Sequence, residues 1–140
     1  MAEPSSPKKV VVLGSTGSIG ESSLSVARDI PERMEVVGLA AHRRVDSLAK
    51  QLAEFDVKQG CIFDPKGLDQ LKTQIADDVT LYTGEDGLVE LATLPEADMV
   101  LIAIVGVAGL RPALAAIEAG KDIAVASKEI LVMAGEAVLS

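Results

Sequence analysis

The chain has 140 residues, of which 49% are hydrophobic and 2% aromatic, and its formal net charge is −8. This is the length of one domain, and no apolar run approaches the roughly 20 residues that span a bilayer. The acidic charge and the scarcity of aromatic side chains argue against nucleic acid as a partner, so we expect neither nucleic-acid nor membrane binding.

The chain begins with a polar segment. Residues 1–8 are predicted to be a disordered tail, and residues 9–140 to form the folded domain. The polar start also argues against a secretory signal peptide, so we expect a cytoplasmic protein, or a protein of the plastid stroma if the source bears plastids. The single cysteine, Cys61, allows no intrachain disulfide and is expected to be a buried hydrophobic residue.

Short apolar runs alternate with segments of helical spacing along the whole chain. The predicted strands are Val10–Leu13, Glu35–Ala40, Gly60–Phe63, Val79–Tyr82, Met99–Ile104 and Ile123–Ala126. The predicted helices are Ser18–Ile30, Val45–Phe55, Pro65–Ala76, Glu85–Thr93 and Leu110–Ala119. Ser18 is expected to cap the first helix, Pro65 to start the third, and Gly120 to follow the fifth. This order predicts an α/β fold, a Rossmann-like, doubly wound, mostly parallel sheet with helices on both faces.

A glycine-rich loop follows the first predicted strand. Gly14, Gly17 and Gly20 recur at intervals of three before a helix, a pattern typical of dinucleotide-binding domains. The first glycine is expected to make the turn, the second to admit a diphosphate close to the backbone, and the third to let helix and sheet pack together. The loop also has three hydroxyl side chains: Ser15, Thr16 and Ser18. A tight turn with no ligand is the alternative interpretation.

Two arginines follow the second predicted strand. NAD-binding domains usually place a carboxylate there for the ribose hydroxyls, but here the strand leads into His42, Arg43 and Arg44. Guanidinium groups bind a 2′-phosphate through forked, charge-assisted hydrogen bonds, so the pattern favours NADPH over NADH. His42 could flank the adenine or the phosphate. The alternative is that these side chains are solvated and bind nothing.

Two later loops are candidates for the other side of the same site. The loop from Ile104 to Gly106 follows a buried strand and is expected beside the nicotinamide. Ser127, Lys128 and Glu129 follow the last predicted strand, where a lysine near a helix start suggests an anionic ligand. A solvent-exposed salt bridge is the more common explanation for such a pair. Residues 127–140 are predicted to form a helix, and we expect a further domain to follow it.

Four segments together resemble the amino-terminal domain of the 1-deoxy-D-xylulose 5-phosphate reductoisomerase family. They are Gly14–Gly20, Ala103–Gly106 with Ala108–Leu110, Ala113–Ile117 and Lys128-Glu129. The resemblance runs from about Lys9 to the last residue. It implies an NADPH-dependent oxidoreductase of non-mevalonate isoprenoid biosynthesis that uses a divalent metal, magnesium or manganese. It further implies a homodimer with a catalytic and a carboxyl-terminal domain that this chain lacks.

The resemblance also implies roles for individual residues. The diphosphate would contact the backbone or side chains of Thr16, Gly17, Ser18 and Ile19, with Gly14 and Ser15 in the same loop. His42, Arg43 and Arg44 would bind the phosphorylated ribose, although the family commonly has glycine where His42 stands. Ser127, which replaces a common asparagine, and Glu129 would contact the cofactor, as would Ile104, and Lys128 would contact the phosphosugar substrate.

The implied reaction has two stages. 1-Deoxy-D-xylulose 5-phosphate rearranges to an aldehyde on the metal, and NADPH reduces the aldehyde to 2-C-methyl-D-erythritol 4-phosphate. The family takes its metal ligands from an Asp-Ser-Glu segment, which this sequence does not contain. We therefore expect no metal ligand and no catalytic residue in these 140 residues, and a chain that binds the cofactor without turning over the substrate.

Two other kinds of protein fit part of the pattern. Other NADPH reductases, such as aspartate-semialdehyde or dihydrodipicolinate enzymes, share the glycine loop but not the later segments in this order. A non-catalytic redox sensor would also bind a dinucleotide, although a DNA-contacting sensor should have a basic helix-turn-helix, which this acidic sequence lacks.

Overall fold

A computed structural model of the chain describes residues 7–104 and 106–125. The strands are β1 (Lys8–Leu13), β2 (Met34–Ala41), β3 (Gln59–Ile62), β4 (Thr80–Thr83), β5 (Met99–Ile102) and β6 (Asp122–Val125). The helices are α1 (Ser18–Asp29), α2 (Val45–Glu54), α3 (Leu68–Lys72), α4 (Gly84–Ala92) and α5 (Leu110–Glu118). Short 3₁₀ turns, Pro65–Gly67 and Gly106–Gly109, lead into α3 and α5. None of the helices in these ranges has the length and apolar character needed to cross a membrane.

The six described strands form one parallel sheet in the order β4-β3-β2-β1-β5-β6. Strands β2, β3 and β4 follow one another outward on one side of β1, and β5 and β6 lie on its other side. The strand order therefore reverses between β1 and β5, which is where open α/β sheets bind ligands, beyond the carboxyl ends of the strands. The predicted doubly wound, parallel α/β fold is confirmed.

The sheet is covered on both faces, and this explains why its strands are continuously apolar. Alternate residues of β1 point to opposite faces: Val10 and Val12 pack with α1, α2 and α3, whereas Val11 and Leu13 pack with α4 and α5. All four are at most 3% exposed. Because β1 is buried on both faces at the centre of the sheet, the loop that follows it starts from a fixed position.

Most predicted element boundaries agree with the structure to within one or two residues, but three details are wrong. The third helix is not continuous from Pro65: a 3₁₀ turn precedes α3, and α3 ends at Lys72. Ser18 does not cap α1, because it is the first helical residue and Gly17 occupies the cap position. The predicted tail is too long, since Lys8 already pairs with β2, while residues 1–6 lie outside the described residues.

The other residues that were predicted to start or follow a helix are confirmed in those positions. Pro65 opens the turn before α3, where Asp64 accepts a hydrogen bond from the Lys66 backbone N–H at 3.0 Å. Gly120 follows the end of α5 with a φ of +79°, a left-handed conformation that glycine adopts without strain. Cys61 is fully buried in β3, and its burial raises the pKa of the thiol to about 12.

Candidate functional site

A crevice of about 350 Å³ opens at the carboxyl ends of β1, β2, β3 and β5. Small and apolar residues form most of its wall. The lining residues are Gly14, Thr16, Gly17, Ala40, Ala41, His42, Phe63, Leu88, Ala103, Ile104 and Ala108. The crevice thus lies at the reversal of strand order between β1 and β5.

Two of the three loop glycines are required by the backbone geometry. Gly14 has a φ of +94°, and a Cβ built there would lie 2.6 Å from the carbonyl oxygen of Ala103. A Cβ on Gly20 would overlap the Gly14 carbonyl and lie 2.7 Å from the Cα of Ser15. Gly14 therefore makes the turn against β5, and Gly20 lets α1 start directly against the loop, as the sequence predicts.

Gly17 is different, because its missing side chain leaves open space. A Cβ there would have no neighbour nearer than the Gly14 carbonyl oxygen at 3.8 Å. Its backbone is extended, and among residues 7–104 and 106–125 no side chain caps this helix start. The absence of a side chain at Gly17 therefore exposes backbone to the crevice, as binding of a diphosphate requires.

The N-terminus of α1 begins beside Gly17, which lines the crevice, and its first backbone donors have no partner within the helix. The first hydrogen bond within the helix runs from the Glu21 N–H to the Gly17 carbonyl, at 2.8 Å. The backbone N–H groups of Ser18, Ile19 and Gly20 precede it and have no acceptor within the helix. Together with the helix dipole they favour an anion at this position. The Ile19 side chain is 51% exposed, which is unusual for a large apolar residue in this fold.

The two hydroxyl residues between Gly14 and Gly17 have different surroundings. Ser15 is fully buried, and its hydroxyl donates to the side-chain oxygen of Gln51 at 2.6 Å. That hydroxyl is therefore used inside the fold, and a contact from Ser15 to a ligand stays a prediction for its backbone. Thr16 is 9% exposed and lines the crevice, so its side chain and backbone are both close to the predicted diphosphate.

The cationic segment after β2 lies at the same edge of the sheet. Leu13 pairs with Ala40 in the parallel register, so the loop after β1 and the segment after β2 leave the sheet side by side. His42 lines the crevice, and its ring packs against Phe63 with a centroid distance of 5.3 Å. The side chains of Arg43 and Arg44 are exposed, and neither is among the ion pairs formed within residues 7–104 and 106–125.

The far wall of the crevice is made by the end of β5. Ala103 donates its N–H to the Leu13 carbonyl at 2.8 Å, which holds this wall against β1. Ile104 lines the crevice, and its place beside the nicotinamide stays a prediction. The other predicted residues on this side, Val105, Ser127, Lys128 and Glu129, lie outside the described residues.

Sequence reasoning missed several residues of the site. Phe63 and Ala103 directly follow β3 and β5, so the rule that ligands bind at carboxyl ends of strands could have identified them. Leu88 comes from α4, and no local pattern distinguishes it from a core leucine. Gln51 was also missed, although a glutamine between Leu48 and Leu52 on the apolar side of a helix is a visible irregularity.

The donor set of the crevice fits a dinucleotide better than a metal ion. Bare glycine backbone and a helix N-terminus at the crevice, with two exposed guanidinium groups in the segment that follows His42, all suit phosphate. Within the described ranges, no three His, Cys, Asp or Glu side chains gather closely enough to hold a metal. Cys61 does not change this, because it is buried and its raised pKa keeps it a neutral thiol.

Comparison with known proteins identifies close relatives. The family model described as 1-deoxy-D-xylulose 5-phosphate reductoisomerase matches residues 10–135. The chain is 47% identical over 131 residues to the 1-deoxy-D-xylulose 5-phosphate reductoisomerase of Thermodesulfovibrio yellowstonii, and 44% identical over 135 residues to that of Acaryochloris marina. Each alignment covers 94% of this chain and 34% of the relative, so the chain spans about a third of the length of these proteins.

Solved structures agree with the sequence relatives. A DOX-P reductoisomerase crystallised with magnesium superposes with a TM-score of 0.89 at 40% identity, covering 96% of this chain and 34% of the other. The 1-deoxy-D-xylulose 5-phosphate reductoisomerase of Zymomonas mobilis, solved in complex with NADPH, gives a TM-score of 0.85 at 43% identity. That alignment covers 93% of this chain and 34% of the Zymomonas chain.

Proposed function

This chain belongs to the 1-deoxy-D-xylulose 5-phosphate reductoisomerase family, and we propose that its crevice is the NADPH site of such an enzyme. One observation supports this most strongly: the bare backbone at Gly17 and the segment Arg43-Arg44 lie at the same edge of the sheet. A diphosphate and a 2′-phosphate on one molecule can therefore be bound together. The NADPH complex of the Zymomonas relative supports the same cofactor.

The diphosphate is bound at the start of α1. The backbone N–H groups of Ser18 and Ile19 donate to it, and Thr16 contributes its N–H and hydroxyl from the adjoining loop. The exposed Ile19 side chain packs against the bound dinucleotide. Since these donors are fixed by the loop before the cofactor arrives, little ordering free energy opposes binding.

The adenosine end of the cofactor is bound at the ends of β2 and β3, and the nicotinamide end lies at the end of β5. Arg43 and Arg44 bind the 2′-phosphate, and the His42–Phe63 pair provides an aromatic surface for the adenine ring. Ile104 and Ala103 lie on the nicotinamide side. Ser127 and Glu129 as cofactor contacts, and Lys128 as a substrate contact, remain predictions.

For the whole protein we propose the reaction of the family, the conversion of 1-deoxy-D-xylulose 5-phosphate to 2-C-methyl-D-erythritol 4-phosphate. Bound NADPH supplies the hydride for the reductive stage. The family takes its metal ligands from an Asp-Ser-Glu segment that this sequence does not contain, so we expect the 140-residue chain alone to bind NADPH without turnover. The homodimeric state and the cytoplasmic or plastid-stromal location of the whole protein also remain predictions.

Calorimetric titration of the chain with NADPH, NADP⁺ and NADH tests the cofactor assignment. Both phosphorylated forms should bind at least about tenfold more tightly than NADH, because each charge-assisted bond to the 2′-phosphate contributes roughly 1.5–3 kcal/mol. Adenosine 2′-monophosphate should compete with NADPH. Equal affinity for all three dinucleotides would contradict the assignment, as would failure of NADPH to bind.

Among the alternatives, another NADPH reductase family is not favoured, because the family match extends over residues 10–135. An assay of product formation by the whole protein distinguishes a non-catalytic redox sensor from the enzyme. A sensor would bind NADPH but form no 2-C-methyl-D-erythritol 4-phosphate.

A further inference from the structure

A buried glutamine on α2 is bonded to the loop that precedes α1. Gln51 is 5% exposed, and its side-chain oxygen accepts from the Ser15 hydroxyl at 2.6 Å. Its amide nitrogen donates to the Ser15 carbonyl at 3.0 Å and to a Glu21 carboxylate oxygen at 3.3 Å. Burying an amide is costly unless its hydrogen bonds are made, and here both ends of the amide are paired.

Ser15 is thereby held from two directions. Its N–H donates to the carbonyl of Ala40 on β2 at 2.8 Å, and the same carbonyl accepts the Gly14 N–H at 2.8 Å. Its hydroxyl and carbonyl both bond to Gln51 on α2. These hydrogen bonds hold both the backbone and the side chain of Ser15 in one orientation.

This arrangement fixes the direction of the next donor in the loop. A trans peptide group is planar, and its C=O and N–H point in opposite directions. Because the Ser15 carbonyl points to Gln51, the Thr16 N–H of the same peptide group points away from α2. Thr16 lines the crevice, so its N–H is directed to the side on which the diphosphate is proposed to bind.

We propose that Gln51 is a positioning residue for the cofactor, which orients the Thr16 N–H toward the diphosphate by bonding to the Ser15 carbonyl. This inference rests on the proposed function. Gln51 thus affects the affinity for NADPH although its side chain does not line the crevice. Gln51 should therefore affect ligands that contain the diphosphate and spare ligands that do not.

The test compares NADPH with adenosine 2′-monophosphate, which has the 2′-phosphate but no diphosphate, in the full 140-residue chain. Gln51→Leu should raise the Kd for NADPH about tenfold, as expected for the loss of one charge-assisted hydrogen bond, and leave the Kd for the monophosphate within about twofold. Ser15→Ala, which removes the hydroxyl but retains the carbonyl bond, should raise the Kd for NADPH less than Gln51→Leu does.

Leu52→Ala is the control for a purely structural effect. Leu52 is 2% exposed on the same helix, so its truncation lowers the melting temperature and leaves both Kd values unchanged below that temperature. An unchanged Kd for NADPH in folded Gln51→Leu would overturn this inference alone, as would an equal loss for both ligands. Failure of the unmodified chain to bind NADPH would instead overturn the proposed function.

Discussion

A Cβ added to Gly14 would lie 2.6 Å from the carbonyl oxygen of Ala103, closer than real Cβ atoms approach an oxygen. The turn after β1 thus presses its backbone against the backbone at the end of β5. These are the two strands between which the strand order reverses. That contact leaves no room for a side chain, so a glycine is required at this position in the lining of the crevice.

Gly14→Ala should therefore lower the free energy of unfolding by about 3 kcal/mol, the sum of a left-handed backbone and an overlap with rigid backbone. Gly120→Ala is the matched control, since Gly120 has a φ of +79° with no atom within 4 Å of an added Cβ. It should cost only about 1 kcal/mol. Urea unfolding of both variants measures the difference, and equal costs would contradict the packing argument.

Ser18→Ala should separate cofactor binding from helix stability. Since Ser18 is the first residue of α1 and makes no capping hydrogen bond, its substitution should change stability by less than about 0.5 kcal/mol. Asp64→Ala removes a side chain that does cap the turn at Pro65, and should cost about 1 kcal/mol. Because Ser18 is predicted to contact the diphosphate, NADPH affinity should fall in Ser18→Ala and stay unchanged in Asp64→Ala, and an unchanged affinity in Ser18→Ala would contradict a role for its hydroxyl. Thermal unfolding and titration of both variants test this.

The Cys61 thiol should be unreactive in the native protein. Burial raises its pKa from 9.0 to about 12, so alkylation by iodoacetamide at pH 8 should proceed only after unfolding. The folded state holds this proton more tightly than the unfolded state. The resulting stabilisation is complete below pH 9 and is lost as the pH rises from 9 toward 12.

Cys61→Ala isolates that contribution from the other groups that titrate at high pH. The difference in unfolding free energy between the two proteins should shrink or change sign between pH 9 and 11. A difference that stays constant over this range would show that the thiol is not desolvated in the folded state.

The sequence was sufficient for the fold because its strands are buried on both faces and stand out as apolar runs, as Val10–Leu13 and Met99–Ile102 show. It was less reliable where a helix has few apolar contacts. Residues 65–76 have helical spacing, but only Leu71 is buried within α3, and the Thr73 hydroxyl bonds back to the Gln70 carbonyl where the helix ends.

Loop residues were predicted where a backbone constraint leaves a trace in the sequence, as with Gly14 and Gly20. Contacts between residues that are far apart in the chain leave weaker signals in the sequence. The bond between Gln51 and Ser15 joins residues 36 positions apart, and the pairing of β1 with β2 places the segment after β2 beside the loop after β1. Neither relationship follows from local spacing.

The arginine pair offers the most direct measurement of the central claim, that this crevice recognises a phosphorylated dinucleotide. Arg43→Ala/Arg44→Ala should reduce the ratio of the Kd for NADH to the Kd for NADPH from at least about tenfold toward one, with the Kd for NADH nearly unchanged. The charge-matched control is Lys8→Ala/Arg33→Ala, which removes two exposed cations from the amino ends of the strands, one at the start of β1 and one just before β2. The control should retain the full preference for NADPH. A preference that survives in Arg43→Ala/Arg44→Ala, or that falls equally in the control, would contradict the account.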